Sequence, residues 1–176
     1  MHGGCAVAFQ NVRGEWGGRA IALRGISDST KAEMYGVLEA FTMVADGVIG
    51  AGITKLIVHT DNKSNVTRVR EAQAGRCKEH SITADVVEQA ARLTSHGIEV
   101  KRRRTEGHSL STGNHVADRL ASFGREKSEG GVAFKSRFDS RNPKSVAAVV
   151  RLEESRVAAA FKQAQKKQRR AEYLTL

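Results

Sequence analysis

Residues 55–66, Lys-Leu-Ile-Val-His-Thr-Asp-Asn-Lys-Ser-Asn-Val, constrain the fold of this chain more than any other stretch. Leu56, Ile57, Val58, His59 and Thr60 make a short, mainly apolar run with the length of a buried strand. The run stops on a carboxylate, Asp61, and polar residues follow. Aspartate is a preferred N-cap, so Asp61 can simply begin the next helix. The carboxyl end of a strand in an α/β sheet is also where ligands and metals bind. Residues remote from Asp61 must decide between these readings.

The flanking sequence surrounds that strand with alternating periods. Residues 3–9 read as a strand, Asn-Val-Arg-Gly-Glu can turn the chain, and residues 16–23 read as the returning strand of a hairpin. Asp28 or Ser29 can cap the next segment, in which Met34, Val37, Leu38 and Phe41 share one helical face. Residues 62–72 predict a short helix. Residues 81–97 predict a longer one, with Ile82, Val86, Val87 and Leu93 as its apolar positions and Gly97 ending it. Residues 98–104 alternate as a strand. Residues 111–123 predict a helix with Val116, Leu120 and Phe123 on one stripe. The order β-β-α-β-α-α-β-α implies an α/β domain, a mixed sheet flanked by helices.

Charge bounds the partners. Over 176 residues the formal net charge is +10 and the pI about 10.1, a balance that fits a polyanion, most often nucleic acid. The excess is uneven: residues 125–176 hold 13 Lys/Arg against 6 Asp/Glu, and residues 1–124 hold 16 against 13. The composition shifts near Gly-Arg-Glu-Lys-Ser-Glu-Gly-Gly, so the chain divides into a domain over 1–124, a linker over 125–143 and a basic tail over 144–176. The two cysteines, Cys5 and Cys77, lack metal-site spacing and suggest no disulfide framework, which points to a reducing, intracellular setting. No apolar run reaches the ~20 residues of a membrane span, and no signal peptide is visible.

Three acids fall at informative places. Glu33 lies in the first turn of the first long helix, Asp61 ends the central strand, and Asp118 lies in the last helix between Val116 and Leu120. Any one of them alone is most often a cap or a solvated residue. Gathered at a sheet edge, carboxylates repel one another unless a cation neutralises them, and hard oxygen ligands suit Mg²⁺ or Mn²⁺.

In joint spacing the chain resembles the ribonuclease H type 1 family, in the divergent form of retroelements and plant-like proteins. The resemblance covers residues 3–124 and is carried by four blocks in order. Gly-Gly-Cys-Ala-Val-Ala-Phe is similar to the family's second strand. Ser-Thr-Lys-Ala-Glu-Met-Tyr-Gly-Val-Leu-Glu-Ala-Phe is similar to the helix with its catalytic glutamate, here Glu33. Ile-Val-His-Thr-Asp-Asn-Lys-Ser-Asn-Val is similar to the strand ending in Thr-Asp, here Asp61. Thr-Glu-Gly-His-Ser-Leu-Ser-Thr-Gly-Asn-His-Val-Ala-Asp-Arg-Leu-Ala is similar to the loop and helix with the site histidine, here His108, then Asn114 and Asp118. The resemblance implies a ribonuclease H-like mixed sheet. It also implies metal-dependent cleavage of the RNA strand of an RNA–DNA hybrid, with Glu33, Asp61 and Asp118 on two Mg²⁺ or Mn²⁺ ions. His108 would help the product leave or handle a proton. The 2′-hydroxyl marks the RNA strand.

The family's pattern is incomplete here. Its fourth carboxylate sits on a first strand just upstream of the Gly-Gly hairpin, and neither strand nor aspartate has a counterpart in the sequence. In the family that strand lies between those matched by 3–9 and 55–60, so its absence leaves a gap or closes the sheet up. An alternative alignment makes 5–10 the first strand and puts Gln10 in the acid's place, but it leaves too few residues for a third strand. Asn62 stands where the family usually has serine. Lys101, Arg102, Arg103 and Arg104 lie on a strand that is usually apolar or aromatic, which suggests phosphate contact. Beyond Gly124 the resemblance ends.

After Pro143 one helix is expected, with Val146, Val150, Val157, Phe161 and Ala164 as its stripe. Lys166, Lys167, Arg169 and Arg170 close it. The tail reads as a solvated helix, an arm that contacts RNA, or a helix that docks on a protein partner. Two rivals to the hybrid nuclease follow. One is a non-catalytic module that binds a hybrid or structured RNA, for example in a ribonucleoprotein. The other is a DNA-cutting transposase or resolvase, which fits the Gly-His and Asn-x-x-Ala-Asp pairing less well.

Overall fold

The structure is a computed structural model. It describes residues 2–10, 14, 16–47, 49, 52–60, 62–76, 81–104 and 112–131, and the backbone of 136–140. Asp61, Cys77 and His108 lie outside the described residues, as do the turn residues 11–13 and the tail with Lys166, Lys167, Arg169 and Arg170.

The hairpin forms as expected from β1 (His2–Gln10) and β2 (Trp16–Arg24), antiparallel with Cys5 opposite Ile21 and Val7 opposite Arg19. Gln10 closes the turn by donating from Nε2 to the Gly14 carbonyl at 2.7 Å. Helix α1 (Ser29–Ala45) follows, capped by Asp28, whose carboxylate accepts from the Lys31 N–H at 3.1 Å. Strand β3 (Lys55–Thr60) leads through α2 (Lys63–Gln73) and α3 (Ile82–Ser95) to β4 (Glu99–Arg104). That helical crossover allows β3 and β4 to pair in parallel, with Val58 opposite Arg102. Gly97, at φ 80°, ends α3: its own N–H bonds Thr94, and the Ile98 N–H bonds Leu93. Among the described residues no helix is long and apolar enough to cross a membrane.

Two features go beyond the sequence reading. The final helix, α4 (Thr112–Glu129), runs past residue 123, and residues 136–140 of the expected linker form β5 (Ser136–Ser140), antiparallel to β2. β2 thereby becomes the middle strand of a sheet ordered β1-β2-β5, which accounts for its near-complete burial. β3 and β4 form a separate two-stranded sheet. Among the described residues no ladder joins β1 to β3.

Helices cover both faces of the hairpin. Cys5, Val7, Ile21 and Leu23 face α1, where Ala32, Ala40 and Met43 receive them. On the alternate face Ala8 and Trp16 pack with Val116 and Leu120 of α4. That face is built from small residues, Gly4, Ala6, Ala8, Gly18, Ala20 and Ala22, so α4 lies almost against the strand backbones. At Gly4 a Cβ would stand 2.1 Å from the Ala121 carbonyl oxygen, and at Gly124 one would stand 2.5 Å from the Ile21 carbonyl oxygen. α1, α2 and α3 enclose the second and larger core, around Phe41, Met34, Val69, Val86 and Leu93.

The contact at Gly124 makes a prediction whose sign opposes helix propensity. In an exposed helix, Gly→Ala gains about 1 kcal/mol. Here the methyl must push α4 off β2, and overpacking costs about 1–3 kcal/mol. Gly124→Ala should therefore lower the urea midpoint. Gly130→Ala, whose nearest contact is an ordinary 3.4 Å, should leave it unchanged. A stabilised Gly124→Ala variant would refute the close packing of α4.

Candidate active site

The site is assembled where β3 meets the first turns of two helices. Thr60, the last residue of β3, accepts the Asn62 N–H on Oγ1 at 3.2 Å. Asn62 caps α2: its Oδ1 accepts from the Ser64 N–H at 2.9 Å and the Asn65 N–H at 3.3 Å. The other half of the Asn62 amide reaches across to α1 and donates to Thr30 Oγ1 at 3.4 Å. Asn65, only 2% exposed, makes two further links. Its Nδ2 donates to the Thr30 carbonyl at 3.2 Å and to Glu33 Oε2 at 3.3 Å. Two asparagines thus lock the start of α1 to the start of α2.

This lattice fixes Glu33. Its carboxylate is partly buried and is held beside residues that flank the carboxyl end of β3. Both amide protons of Asn65 are committed, which sets the orientation of the group. Asn65 Oδ1 is then left buried without a hydrogen-bond partner. An orphaned carbonyl oxygen next to a carboxylate is a hard-oxygen environment of the kind Mg²⁺ prefers. Among the described residues, however, no three His, Cys, Asp or Glu side chains gather closely enough to hold a metal ion. Glu33 rides on the helix that covers one face of the hairpin. Asp118 is exposed on α4, which covers the other. Asn114 is partly buried in the first turn of α4.

The basic strand is more differentiated than its sequence. Lys101 is engaged by Glu99 at 2.5 Å, and Glu99 also reaches Lys55 on β3 at 3.3 Å. Hydrogen bonds from these two ammonium groups hold the exposed Glu99 carboxyl below the usual carboxylate range. Arg103 and Arg104 are exposed, whereas Arg102 is half-buried and burial pushes its pKa down.

Sequence reasoning passed over Thr30 and Asn65. The available signal was Asn62-x-x-Asn65, which has the spacing of a capping box with amides in place of hydroxyl and carboxylate. That spacing announces a helix start but says nothing of a partner more than thirty residues earlier.

No family profile and no curated protein matches the chain. Among solved structures it is similar to the N-terminal RNase H domain of rv2228c from Mycobacterium tuberculosis, solved as a fusion with maltose-binding protein. Identity there is 20% and the TM-score 0.43, over 74% of this chain and 96% of that one. It is also similar to LC9-RNase H1, a type 1 RNase H with the type 2 active-site motif. Identity is 19% and the TM-score 0.47, over 85% of this chain and 83% of that one.

Asn65→Ala should detach Glu33 from α2 and remove both Asn65 hydrogen bonds to the first turn of α1. A hydrogen bond to a charged group contributes about 1.5–3 kcal/mol, so the variant should be destabilised by at least about 1 kcal/mol. Thr67→Ala, on the exposed face of the same helix, should cost far less. Equal midpoints for the two variants in urea would refute the locking role of Asn65.

Proposed function

We propose that this chain is a nucleic-acid-binding protein of the ribonuclease H kind, built to act on the RNA strand of an RNA–DNA hybrid. The observation that carries the reading is the tether of Glu33, through Asn65 and Thr30, to the carboxyl end of β3. Two of the four sequence blocks that resemble the family thereby meet in space.

In this reading Glu33, Asp61 and Asp118 would hold Mg²⁺ or Mn²⁺. Bound metal ions supply activation of water and stabilisation of the leaving oxygen of a phosphodiester. The chain's own residues do the rest. Asn65 and Thr30 keep the Glu33 carboxylate oriented, so no reorganisation is needed when substrate arrives. His108 takes or returns a proton as product leaves. Asn114 and the cations on β4 hold the nucleic acid, and Lys166, Lys167, Arg169 and Arg170 add long-range attraction. The fourth carboxylate of the family's pattern would lie on a strand between β1 and β3.

A second reading, a module that binds without cutting, is favoured by β4. The exposed Arg103 and Arg104 there need no metal to hold a phosphate backbone.

The first of two measurements separates these readings, and the second tests what they share. The first is cleavage of a labelled RNA–DNA hybrid in Mg²⁺. The 176-residue chain, tested alone, should cut weakly or not at all, since three carboxylates under-coordinate a two-ion site. Adding an upstream strand that ends in aspartate should raise the rate by several orders of magnitude, and Asp61→Asn should abolish that gain. Robust, Asp61-dependent cleavage by the 176-residue chain alone would overturn the account of the missing ligand.

The second measurement is hybrid affinity against salt. A net charge of +10 predicts a steep linear fall of log affinity with log salt. A flat line would sink both readings.

A further inference from the structure

Side chains on a strand alternate between its two faces. Val100 packs against the core of α1 and α3, so Arg102, two residues on, points to the same face. Its register partner Val58 also packs there. Arg102 therefore occupies a position where the pattern calls for an apolar side chain. Its Nη1 is enclosed and has no hydrogen-bond partner.

A charge in that state is costly unless a counter-charge meets it. Beside it, between α2 and β4, opens a cavity of about 340 Å³. Val66 and Val100 give it an apolar wall, and Arg70, Gln73 and Arg103 join Arg102 on its polar side. None of the described residues that line it is acidic. Lys101, at its rim, is already engaged by Glu99.

We propose that this cavity is a binding site for a phosphate oxyanion, held from within by Arg102 and from the last turn of α2 by Arg70. Guanidinium groups present paired N–H donors that match phosphate oxygens. Gln73 offers a neutral amide donor beside them. The oxyanion can be a free phosphate ion or a phosphodiester of a bound strand. The inference deepens the nucleic-acid reading and rests on it only where the source is a strand.

The test has two arms and uses the full chain with Arg102→Met and Arg70→Gln. In the first arm the probe is sodium phosphate against sodium chloride of equal ionic strength, read as the thermal midpoint. Phosphate should raise the wild-type midpoint, and both substitutions should remove the rise. Without phosphate, Arg102→Met should be at least as stable as wild type, because a half-buried guanidinium with an enclosed, unpaired Nη1 has gone. In the second arm the probe is a labelled RNA–DNA hybrid. Arg102→Met should weaken binding at least about tenfold and reduce the log–log salt slope by about 0.9.

A response in the first arm alone assigns a free anion and counts against the nucleic-acid reading, not against the site. A response to hybrid, with or without one to phosphate, assigns a strand. Indifference of both probes to both substitutions overturns the site. Arg70→Gln, on the exposed surface of α2, keeps the site open to refutation if Arg102→Met does not fold.

Discussion

The architecture depends on the two-sided burial of α1. Ten of its seventeen residues are buried, so it is a core helix rather than an amphipathic cover. One side, with Ala32, Gly36, Ala40 and Met43, lies on β1. The other, with Met34, Val37, Leu38, Phe41 and Val44, closes the core shared with α2 and α3. Among the described residues the two sheets exchange no backbone ladder, so α1 fixes where β3 stands relative to β1. The position of Glu33 follows from this: it lies one residue from Ala32 and Met34, which face the two cores, and cannot move without both.

A buried ion pair sets the rotation of that helix. Arg19 of β2 donates from Nη1 to Glu39 Oε1 at 2.7 Å, with the glutamate side chain fully enclosed. Arg19 shares the Ile21 and Leu23 face of β2, where two apolar partners would serve stability at least as well. What an ion pair adds is directionality. If α1 rolled or slid by one residue on β1 and β2, two charges would be buried apart, a loss of about 3–5 kcal/mol. An apolar contact would merely repack. On the other face Gly4, Gly18 and Gly124 let α4 approach the strands where any Cβ would clash.

Much of this was legible in the sequence, and the misses have a common cause. Strands 3–9, 16–23 and 55–60 and the four helices follow from local periodicity, and Gly97 from local turn chemistry. β5 did not, because Ser136–Ser140 carries one apolar residue in five, and its pairing exists only because the far edge of β2 is open. Arg19 with Glu39 and Thr30 with Asn65 are hydrogen-bonded across twenty residues or more, and Arg70 and Arg102 meet only in lining one cavity. A polar residue in such a pair looks solvated until the fold supplies its partner. The basic strand shows the same limit. Its sequence offers four equivalent cations, but β alternation and register divide them into an engaged Lys101, an enclosed Arg102 and the exposed Arg103 and Arg104.

α2 connects two of the polar sites among the described residues. Its N-terminus carries Asn62 and Asn65 against the first turn of α1, and its last turn carries Arg70 beside Arg102. Eight residues separate Asn62 from Arg70, a rise of about 12 Å at 1.5 Å per residue. α2 is therefore a rigid spacer between the acid and the cations. Its own dipole favours the arrangement at the cationic end, since Arg70 lies in the last turn, where a positive charge is stabilised.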